Sequence, residues 1–458
     1  MKIPKIHIGQ KPTYIKLAED VDFFELFRRV ESVFDTCFIF ESLGEEGKFS
    51  RYSIIGFDPA HIISARENVF TFDGKEYKVT NPYETLREIM PKKAIARNYA
   101  GGLVGYLSYE ALNYFESSLH VKVHPKFDQF HFGVYADGLV FDKLTSELFY
   151  FFYEEDRSDV LRKLVTEKSE SGPCTVTHLR DGVGEKEHAR IVEEVKEHIR
   201  AGNTFQCEVG FKTEYKIEGD TFQIYERLRA VNPSPFMYYL KFPSSAKGSE
   251  GQVRKIIGAS PELLFSLREG EMTTRPLAGT IRRGRDEKED QQLARTLVND
   301  PKERAEHSML VDLHRNDIGR VAQFGSVKVK DLMTVKKFSH VQHISSEITG
   351  MIRRDKDMFS ALAANFPAGT VSGAPKIESI KIIDRNEREA RGPYGGAIGH
   401  FGFNGDCTFA LLIRSLFIEC EEAYAQTSGG IVYDSDPKKE YQEIQHKFAA
   451  MKRALEEH

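Results

Sequence analysis

Short apolar runs broken by turn residues fill the first third of the chain. Residues 36–41 form a brief apolar run that closes on Glu41-Ser42, and residues 51–56 and 68–79 read as strands bounded by turn signals. Alternating aromatics over residues 130–152 predict two more strands. The stretch Gly101-Gly-Leu-Val-Gly-Tyr-Leu-Ser-Tyr109 lacks the GxGxxG spacing of a dinucleotide loop. It predicts a strand whose glycines admit close backbone packing. From residue 154 to 187 charge rises and aromatics thin out, which predicts a helix and then a linker around Ser171-Gly-Pro173. A helix resumes near Glu185, with Ile191, Val195 and Ile199 on one face and Gly202 as its stop. Beyond it strands and helices alternate without a regular βαβ cycle or an internal repeat, and residues 244–251 read as an exposed hairpin tip.

Two helix starts share one pattern. Asn299-Asp300-Pro301 caps a helix that continues through Glu303, Glu306, Leu310 and Leu313, and Asp436-Pro437 caps another through Glu440, Glu443, Ile444, Phe448, Met451 and Leu455. Each E-x-x-E pair sits at the upper end of an apolar stripe, and Lys447 lies one turn below Glu443. One such pair is adequately explained by the helix dipole, which favours acids in a first turn, or by a capping box between Asp300 and Glu303. The same arrangement twice points further. Four carboxylates brought together repel and take up protons unless a cation joins them. Ligation by oxygen alone suits Mg²⁺, so the residues themselves point to a Mg²⁺-assisted site for a small carboxylate.

Composition narrows the class. A chain of 458 residues can bury a large core and ordinarily suggests two or more domains. The net charge of −5, with both signs spread along the chain, argues against nucleic acid as a partner. The start has no apolar segment of the signal-peptide kind, and no apolar run is long enough to span a membrane. Five cysteines without CxxC spacing suit a reduced, cytosolic protein without zinc.

The most distinctive stretch is Phe366-Pro-Ala-Gly-Thr-Val-Ser-Gly-Ala-Pro-Lys376, where prolines bracket three small residues and two hydroxyls, Thr370 and Ser372. It is not a Walker A loop, because Lys376 falls three residues after Gly373. It reads either as a Gly/Pro-rich surface turn or as a loop that presents N–H groups and hydroxyls to a small polar ligand. His343 lies in an apparent strand, a setting where a lone histidine is usually structural. Arg414 interrupts residues 409–418, a run that otherwise looks fully buried and therefore needs an anion for the guanidinium. Ser428-Gly429-Gly430 reads as a second loop able to offer N–H groups to an anion.

Taken together, these stretches strongly resemble the chorismate-utilising enzymes, and among them the family of anthranilate synthase large subunits. The matching segments are Gly258-Ala-Ser-Pro-Glu262, Arg275-Pro-Leu-Ala-Gly-Thr280, Lys302-Glu-Arg-Ala-Glu306 and its continuation to Asp317, Val341-Gln-His343, Phe366 to Lys376, Ile431-Val-Tyr-Asp-Ser435 and Glu440-Tyr-Gln-Glu443. The N-terminal likeness is thinner and rests on Phe40-Glu-Ser42, Ser50-Arg-Tyr-Ser53 and the stretch near Gly105. The chain departs from the usual pattern at Gln342, where Met is more usual, and at His314, where Ala is common.

The resemblance implies an α+β fold: a large, mainly antiparallel β-sandwich flanked by helices. A regulatory region over residues 1–165 would pack on, and interleave with, a catalytic region over 185–458. It implies that Glu306 and Glu443 hold Mg²⁺, assisted by Glu303 and Glu440, and that the metal grips the ring carboxylate of chorismate. Tyr394 and Arg414 would bind the enolpyruvyl carboxylate, with Gly279, Thr280, Ser428, Gly429, Gly430 and Lys447 supplying further contacts. Glu262 matches the acid that protonates the departing C4 hydroxyl, while His343 and Thr370 match the elimination that releases pyruvate. A poor leaving hydroxyl needs a general acid, so the chemistry agrees.

Two positions choose among sibling reactions. Gln206 stands where water-adding relatives have a lysine base, and Ala278 where aminodeoxychorismate synthases carry a nucleophilic lysine. Both substitutions point to direct attack by ammonia and release of anthranilate. Aminodeoxychorismate synthesis is the runner-up. Release of 2-amino-2-deoxyisochorismate and a non-catalytic tryptophan sensor are further readings. No cysteine has the Gly-x-Cys-x-Gly context of a glutaminase, which predicts a separate glutamine amidotransferase subunit in a hetero-oligomer. The family likeness also implies feedback inhibition by tryptophan, with Glu41 and Ser42 receiving its ammonium and Pro235, Phe236 and Met237 facing the indole.

Overall fold

Two antiparallel sheets of twelve strands each organise the chain. The structure is a computed structural model that describes residues 2–17, 21–43, 50–96, 99–166, 171–244, 252–338 and 341–456. The first sheet runs in the order Thr13–Lys16, Glu147–Phe152, Asp137–Asp142, Tyr52–Phe57, Cys37–Glu41, Phe236–Pro243, Val253–Ser260, Ser415–Glu419, Glu422–Ile431, Gln206–Gly219, Cys174–Asp181, with Gly373–Ala374 paired to Gln206–Gly219. The second runs Leu277–Arg282, Val341–Met351, Glu271–Thr274, Leu263–Arg268, Cys407–Leu411, Ala397–Gly402, Gly102–Leu107, Phe130–Tyr135, His61–Arg66, Val69–Phe72, Lys75–Lys78, with Lys328–Lys337 also paired to Val341–Met351.

The two sheets face each other across Phe38, Tyr106, Tyr135, Tyr238, Ile398 and Phe417. Helices Phe23–Val33, Glu185–Arg200, Phe222–Val231, Lys376–Asn386 and Pro437–Leu455 cover the outer face of the first sheet. Helices Pro82–Glu88, Pro301–Gly319 and Met358–Asn365 cover that of the second. The result is the helix-flanked antiparallel sandwich that the family resemblance implies. Each buried Leu or Phe on these faces stabilises it by roughly 1.5–3 kcal/mol relative to exposure. Strands from the first 165 residues sit inside both sheets: Cys37–Glu41 pairs with Phe236–Pro243, and Gly102–Leu107 pairs with Ala397–Gly402. Close packing of the glycine-rich strand is explicit at Gly105, where a Cβ would collide with the carbonyl oxygen of His131 on the neighbouring strand.

Two segments differ from the sequence reading. Residues 130–152 form three strands rather than two, because the chain leaves the second sheet after Tyr135 and enters the first at Asp137. A crossing between layers needs no Gly- or Pro-rich turn, so no turn signal marks it. The linker expected before residue 187 contains the edge strand Cys174–Asp181, in which only Cys174 is buried. A one-sided edge strand carries too few apolar residues to show as a strand. The helix after it spans Glu185–Arg200 as its stripe predicts, and Gly202 follows at φ +77. Residues 245–251 of the expected hairpin tip lie outside the described residues.

Candidate active site

The two E-x-x-E helices form with the caps expected of them. The Asp300 carboxylate accepts the N–H groups of Lys302 and Glu303 ahead of helix Pro301–Gly319, and Asp436 accepts those of Lys438 and Lys439 ahead of Pro437–Leu455. Leu310, Ile444, Phe448, Met451 and Leu455 are buried below them. The helices lie on different sheets, yet their first turns approach one another. Burial and then the neighbouring Glu306 raise the pKa of Glu303, with Glu443 of the opposite helix adding to the effect. Burial and Glu443 likewise raise Glu440. Burial would raise Glu443 too, but Lys447, 2.8 Å away, outweighs it and holds Glu443 below the usual range.

These carboxylates are oxygen donors whose mutual repulsion a cation would relieve, so their chemistry fits Mg²⁺. Among the described residues no three His, Cys, Asp or Glu side chains are already gathered around one point at ligating distance. Glu306 and Glu443 both add to the burial that raises Glu208, and Glu443 adds to that of Glu303, so the two pairs share one electrostatic neighbourhood.

A second pair of groups, Glu262 and His343, shares Arg414 as a neighbour and is displaced in opposite directions. Glu262 is buried, and its carboxyl is pushed up to about 8 by that burial, with Glu208 adding to it against the pull of Thr370 and Arg414. The Thr370 hydroxyl donates to Glu262 Oε1 at 2.8 Å. His343 Nδ1 sits 2.7 Å from the carbonyl oxygen of Gly279 and 3.2 Å from Thr280 Oγ1. A carbonyl can only accept, so Nδ1 carries the proton and Nε2 carries the lone pair. Nε2 is buried without a partner, and burial, helped by Arg414, pulls the imidazole down to about 4.

Cations and hydroxyls close the site. The Arg414 guanidinium makes no hydrogen bond or ion pair among the described residues. Burial lowers its pKa, and Glu262 is the charge opposing that shift. Arg414 does not sit in one buried run as expected. The chain crosses from the second sheet to the first between Cys407–Leu411 and Ser415–Glu419, and Arg414 occupies the crossing at φ +51. The Tyr394 hydroxyl lies 2.8 Å from Ser428 Oγ, which donates to Glu208 Oε2 at 2.9 Å. Lys447 donates to the Ser428 carbonyl at 2.9 Å.

Ser428-Gly429-Gly430 is strand rather than the expected loop. It ends Glu422–Ile431 and lies opposite Gly210, Val209 and Glu208. Its glycines make room for side chains: a Cβ on Gly430 would lie 2.5 Å from Gln206 Nε2 and 2.7 Å from Glu208 Oε1. Gly279, at φ +65, similarly lies under Glu303, whose Oε2 would be 2.6 Å from an added Cβ. Residues 366–376 are no surface turn, since Phe366, Ala368, Val371, Ser372 and Ala374 are all buried. Gly369–Val371 is one 3₁₀ turn that aims Thr370 at Glu262, and Gly373–Ala374 pairs with Gln206 and Cys207. Gln206 Nε2 donates to Glu306 Oε1 at 3.2 Å, which ties the first sheet to the helix of the second.

The named residues form separate hydrogen-bonded groups: Thr370 with Glu262, His343 with Gly279 and Thr280, Gln206 with Glu306, and Tyr394, Ser428 and Lys447 with Glu208 and Glu443. Arg414, Glu208 and Lys447 exert their charge across them. Glu208 was missed by the sequence reading, although it follows Gln206 by two positions in an extended run and so shares its face.

The five residues named for the inhibitor gather elsewhere. Glu41, Ser42, Pro235, Phe236 and Met237 line a cavity of about 160 Å³ between the sheets, together with Phe40, Tyr52, Ile398, His400 and Asn404. The Ser42 hydroxyl is buried without a partner. The Glu41 carboxylate is not free to receive an ammonium as expected: Arg229 binds both its oxygens, at 2.7 and 3.0 Å, and Tyr225 donates at 2.8 Å. The helix bearing Tyr225 and Arg229 sets that pairing, which no local pattern around residue 41 reveals.

Known proteins place the chain in a family. Residues 35–453 match the family model of the chorismate binding enzymes. The chain is 50% identical to anthranilate synthase component 1 of Leptospira biflexa, over 100% of this chain and 98% of that protein. It is 40% identical to the component 1 of Methanothermobacter thermautotrophicus, over 96% and 94% of the two chains. The crystal structure of anthranilate synthase component I from Streptococcus pneumoniae TIGR4 superposes with a TM-score of 0.76 at 32% identity, covering 89% of this chain and 93% of that one. The chain thus belongs to the chorismate binding enzyme family.

Proposed function

We propose that this chain is the synthase subunit of an anthranilate synthase, a lyase that converts chorismate and ammonia into anthranilate, pyruvate and water. The observation that carries the reading is the split between Glu262, protonated up to about pH 8, and His343, neutral down to about pH 4. Between those limits one buried group is ready to give a proton and the other to take one. Glu262 protonates the C4 hydroxyl so that it leaves as water while ammonia adds at C2. His343 Nε2 then removes the C2 proton, the ring becomes aromatic and pyruvate departs as its enol. Thr370 holds Glu262 in place.

Arg414, which has no ion-pair partner among the described residues, binds the enolpyruvyl carboxylate with Tyr394, and Lys447 adds positive charge. Glu306 and Glu443, assisted by Glu303 and Glu440, would hold a Mg²⁺ that neutralises the ring carboxylate. Gln206 and Ala278 favour anthranilate over the sibling products, because neither can act as the lysine base or nucleophile those reactions use.

The component 1 designation of the relatives supports a glutaminase partner as the ammonia source. The cavity at Ser42 is the proposed tryptophan site, with the Ser42 hydroxyl accepting from the ammonium and Phe236 and Met237 against the indole. Among the described residues no helix is long and apolar enough to cross a membrane.

The test is anthranilate fluorescence from the isolated chain. Chorismate, Mg²⁺ and ammonium should produce it, and glutamine in place of ammonium should not. A non-fluorescent aminated product would point instead to an aminodeoxychorismate or aminodeoxyisochorismate synthase.

A further inference from the structure

Arg391 is 2% exposed and lies between helix Lys376–Asn386 and strand Ala397–Gly402. It is not among the residues assigned to substrate, metal or inhibitor. Its guanidinium donates in two directions. Nε and Nη2 meet the two carboxylate oxygens of Glu387, at 2.9 and 2.7 Å. Nη1 donates to the Val371 carbonyl at 2.6 Å, and Nη2 also donates to the Glu208 carbonyl at 2.8 Å. Val371 closes the 3₁₀ turn Gly369–Val371, whose Thr370 donates to Glu262. Glu208 belongs to strand Gln206–Gly219, and its own N–H donates to the Ser372 carbonyl at 2.9 Å. Turn and strand are therefore joined twice, once directly and once through the Arg391 fork. Glu387 is anchored in turn, since its Oε1 accepts the Gly210 N–H at 3.0 Å and its Oε2 accepts from Gln426 Nε2 at 3.3 Å.

The turn has little rigidity of its own. A single 3₁₀ turn has poor hydrogen-bond geometry, and here its backbone bonds to Ala368 and Gly369 measure 3.3 and 3.2 Å. The charge-assisted 2.6 Å bond from Arg391 is shorter than either, so it sets where the last carbonyl of the turn lies. We infer that Arg391, held by Glu387, is a positioning residue of the reaction: it fixes the turn Gly369–Val371 so that the Thr370 hydroxyl stays on Glu262. This rests on the proposed reaction and deepens it by naming what holds its acid in register. Arg391 acts through Thr370 rather than on the acid itself. A lysine does not reproduce it, because an ammonium is a point charge without the planar fork that serves a carboxylate and two carbonyls together.

The experiment is a double-mutant cycle on the full chain. Arg391→Lys and Thr370→Val are made separately and together, and anthranilate formation from chorismate, Mg²⁺ and ammonium is followed across pH. Lys keeps a charge beside Glu387, and thermal unfolding reports whether the fold is kept. Arg391→Lys should lower kcat about tenfold to a hundredfold. In the Thr370→Val chain the same substitution should lower kcat no more than about threefold, because the contact it protects is already gone. The Thr370 hydroxyl favours the charged form of Glu262, so its withdrawal in Arg391→Lys should also move the alkaline limb of kcat/KM from near 8 to higher pH. Loss of folded protein alone would lower the rate without moving that limb. Glu387→Gln, which keeps one oxygen for the fork, serves if the Lys variant does not fold; it should give a smaller loss with the same dependence on Thr370. Equal losses with and without Thr370 overturn the role, as does an alkaline limb that stays in place while kcat falls, and either leaves Arg391 a structural ion pair. A kcat for Arg391→Lys within about twofold of the unaltered chain overturns it too. Failure of the underlying reaction looks different: the unaltered chain would then make no anthranilate from chorismate and ammonium at all.

Discussion

The cleft at Glu262 and the cavity at Ser42 are built on different physics. In the cleft, buried charges are left incompletely paired. Glu262 and Glu208 are pushed up to about 8 and 7 by burial, His343 down to about 4, and Arg414 has no counter-ion among the described residues. In the cavity, Arg229 and Tyr225 hold Glu41, and Phe40, Tyr52, Phe236, Met237 and Ile398 form an apolar surface beside the Ser42 hydroxyl, with Arg268, His400 and Asp406 contributed by the second sheet. Uncompensated charge is destabilising unless a charged ligand arrives, so the cleft is shaped for anions and proton transfer. An aromatic-lined cavity with polar groups along one wall is shaped for a flat apolar body with a polar end. The two sites share a scaffold. The strand Phe236–Pro243 borders the cavity and pairs with Val253–Ser260, whose end leads directly to Glu262. That gives binding in the cavity a short route to the acid, as coupling between sites requires.

The comparison can be broken most severely at Glu306 and Glu443, the proposed metal ligands. Glu306→Gln and Glu443→Gln should each reduce ammonium-dependent turnover to background at modest Mg²⁺, while thermal unfolding and tryptophan binding stay as in the unaltered chain. Near-normal turnover in either would return those glutamates to the role of first-turn acids. Glu262→Gln comes next. It keeps an acceptor for the Thr370 hydroxyl but cannot give a proton, so kcat should fall about 10²- to 10⁴-fold. Calorimetry should show tryptophan binding to it unchanged.

A pH profile sharpens the contrast with a smaller effect. His343 must be neutral to accept, and Glu262 must be protonated to donate. Plotted against free ammonia, kcat/KM should therefore fall below a limb near 4 and above a limb near 8, by about tenfold per pH unit. A profile flat through pH 9 would remove Glu262 as the acid. The smallest catalytic effect belongs to the cavity. Ser42→Phe and Met237→Thr should leave uninhibited turnover within about twofold yet lose inhibition by tryptophan. Variants that remain fully sensitive would place the inhibitor elsewhere.

Local chemistry in the chain was enough to determine a good part of this protein. Asp300-Pro301 and Asp436-Pro437 cap their helices through bonds two and three residues away, so both E-x-x-E pairs and their apolar stripes could be read directly. The helix at Glu185 and the strand at Gly105 were legible for the same reason: their signals lie within one element. Only tertiary structure decided where the chain changes layers, at Ala136 and near Arg414, since a crossing between two packed sheets leaves no turn signature. It also turned Ser428-Gly429-Gly430 from apparent loop into strand, paired with residues 208–210, and Gly430 answers to the side chains of Gln206 and Glu208, more than two hundred residues earlier, rather than to its own backbone. Glu41 reads as a free carboxylate until Arg229 arrives from a distant helix, and Glu208 reads as an ordinary strand residue until Ser428 and Gly430 are set opposite it. Burial and pairing across the fold create the displaced pKa values, and those depend on distances in space that spacing along a chain does not encode.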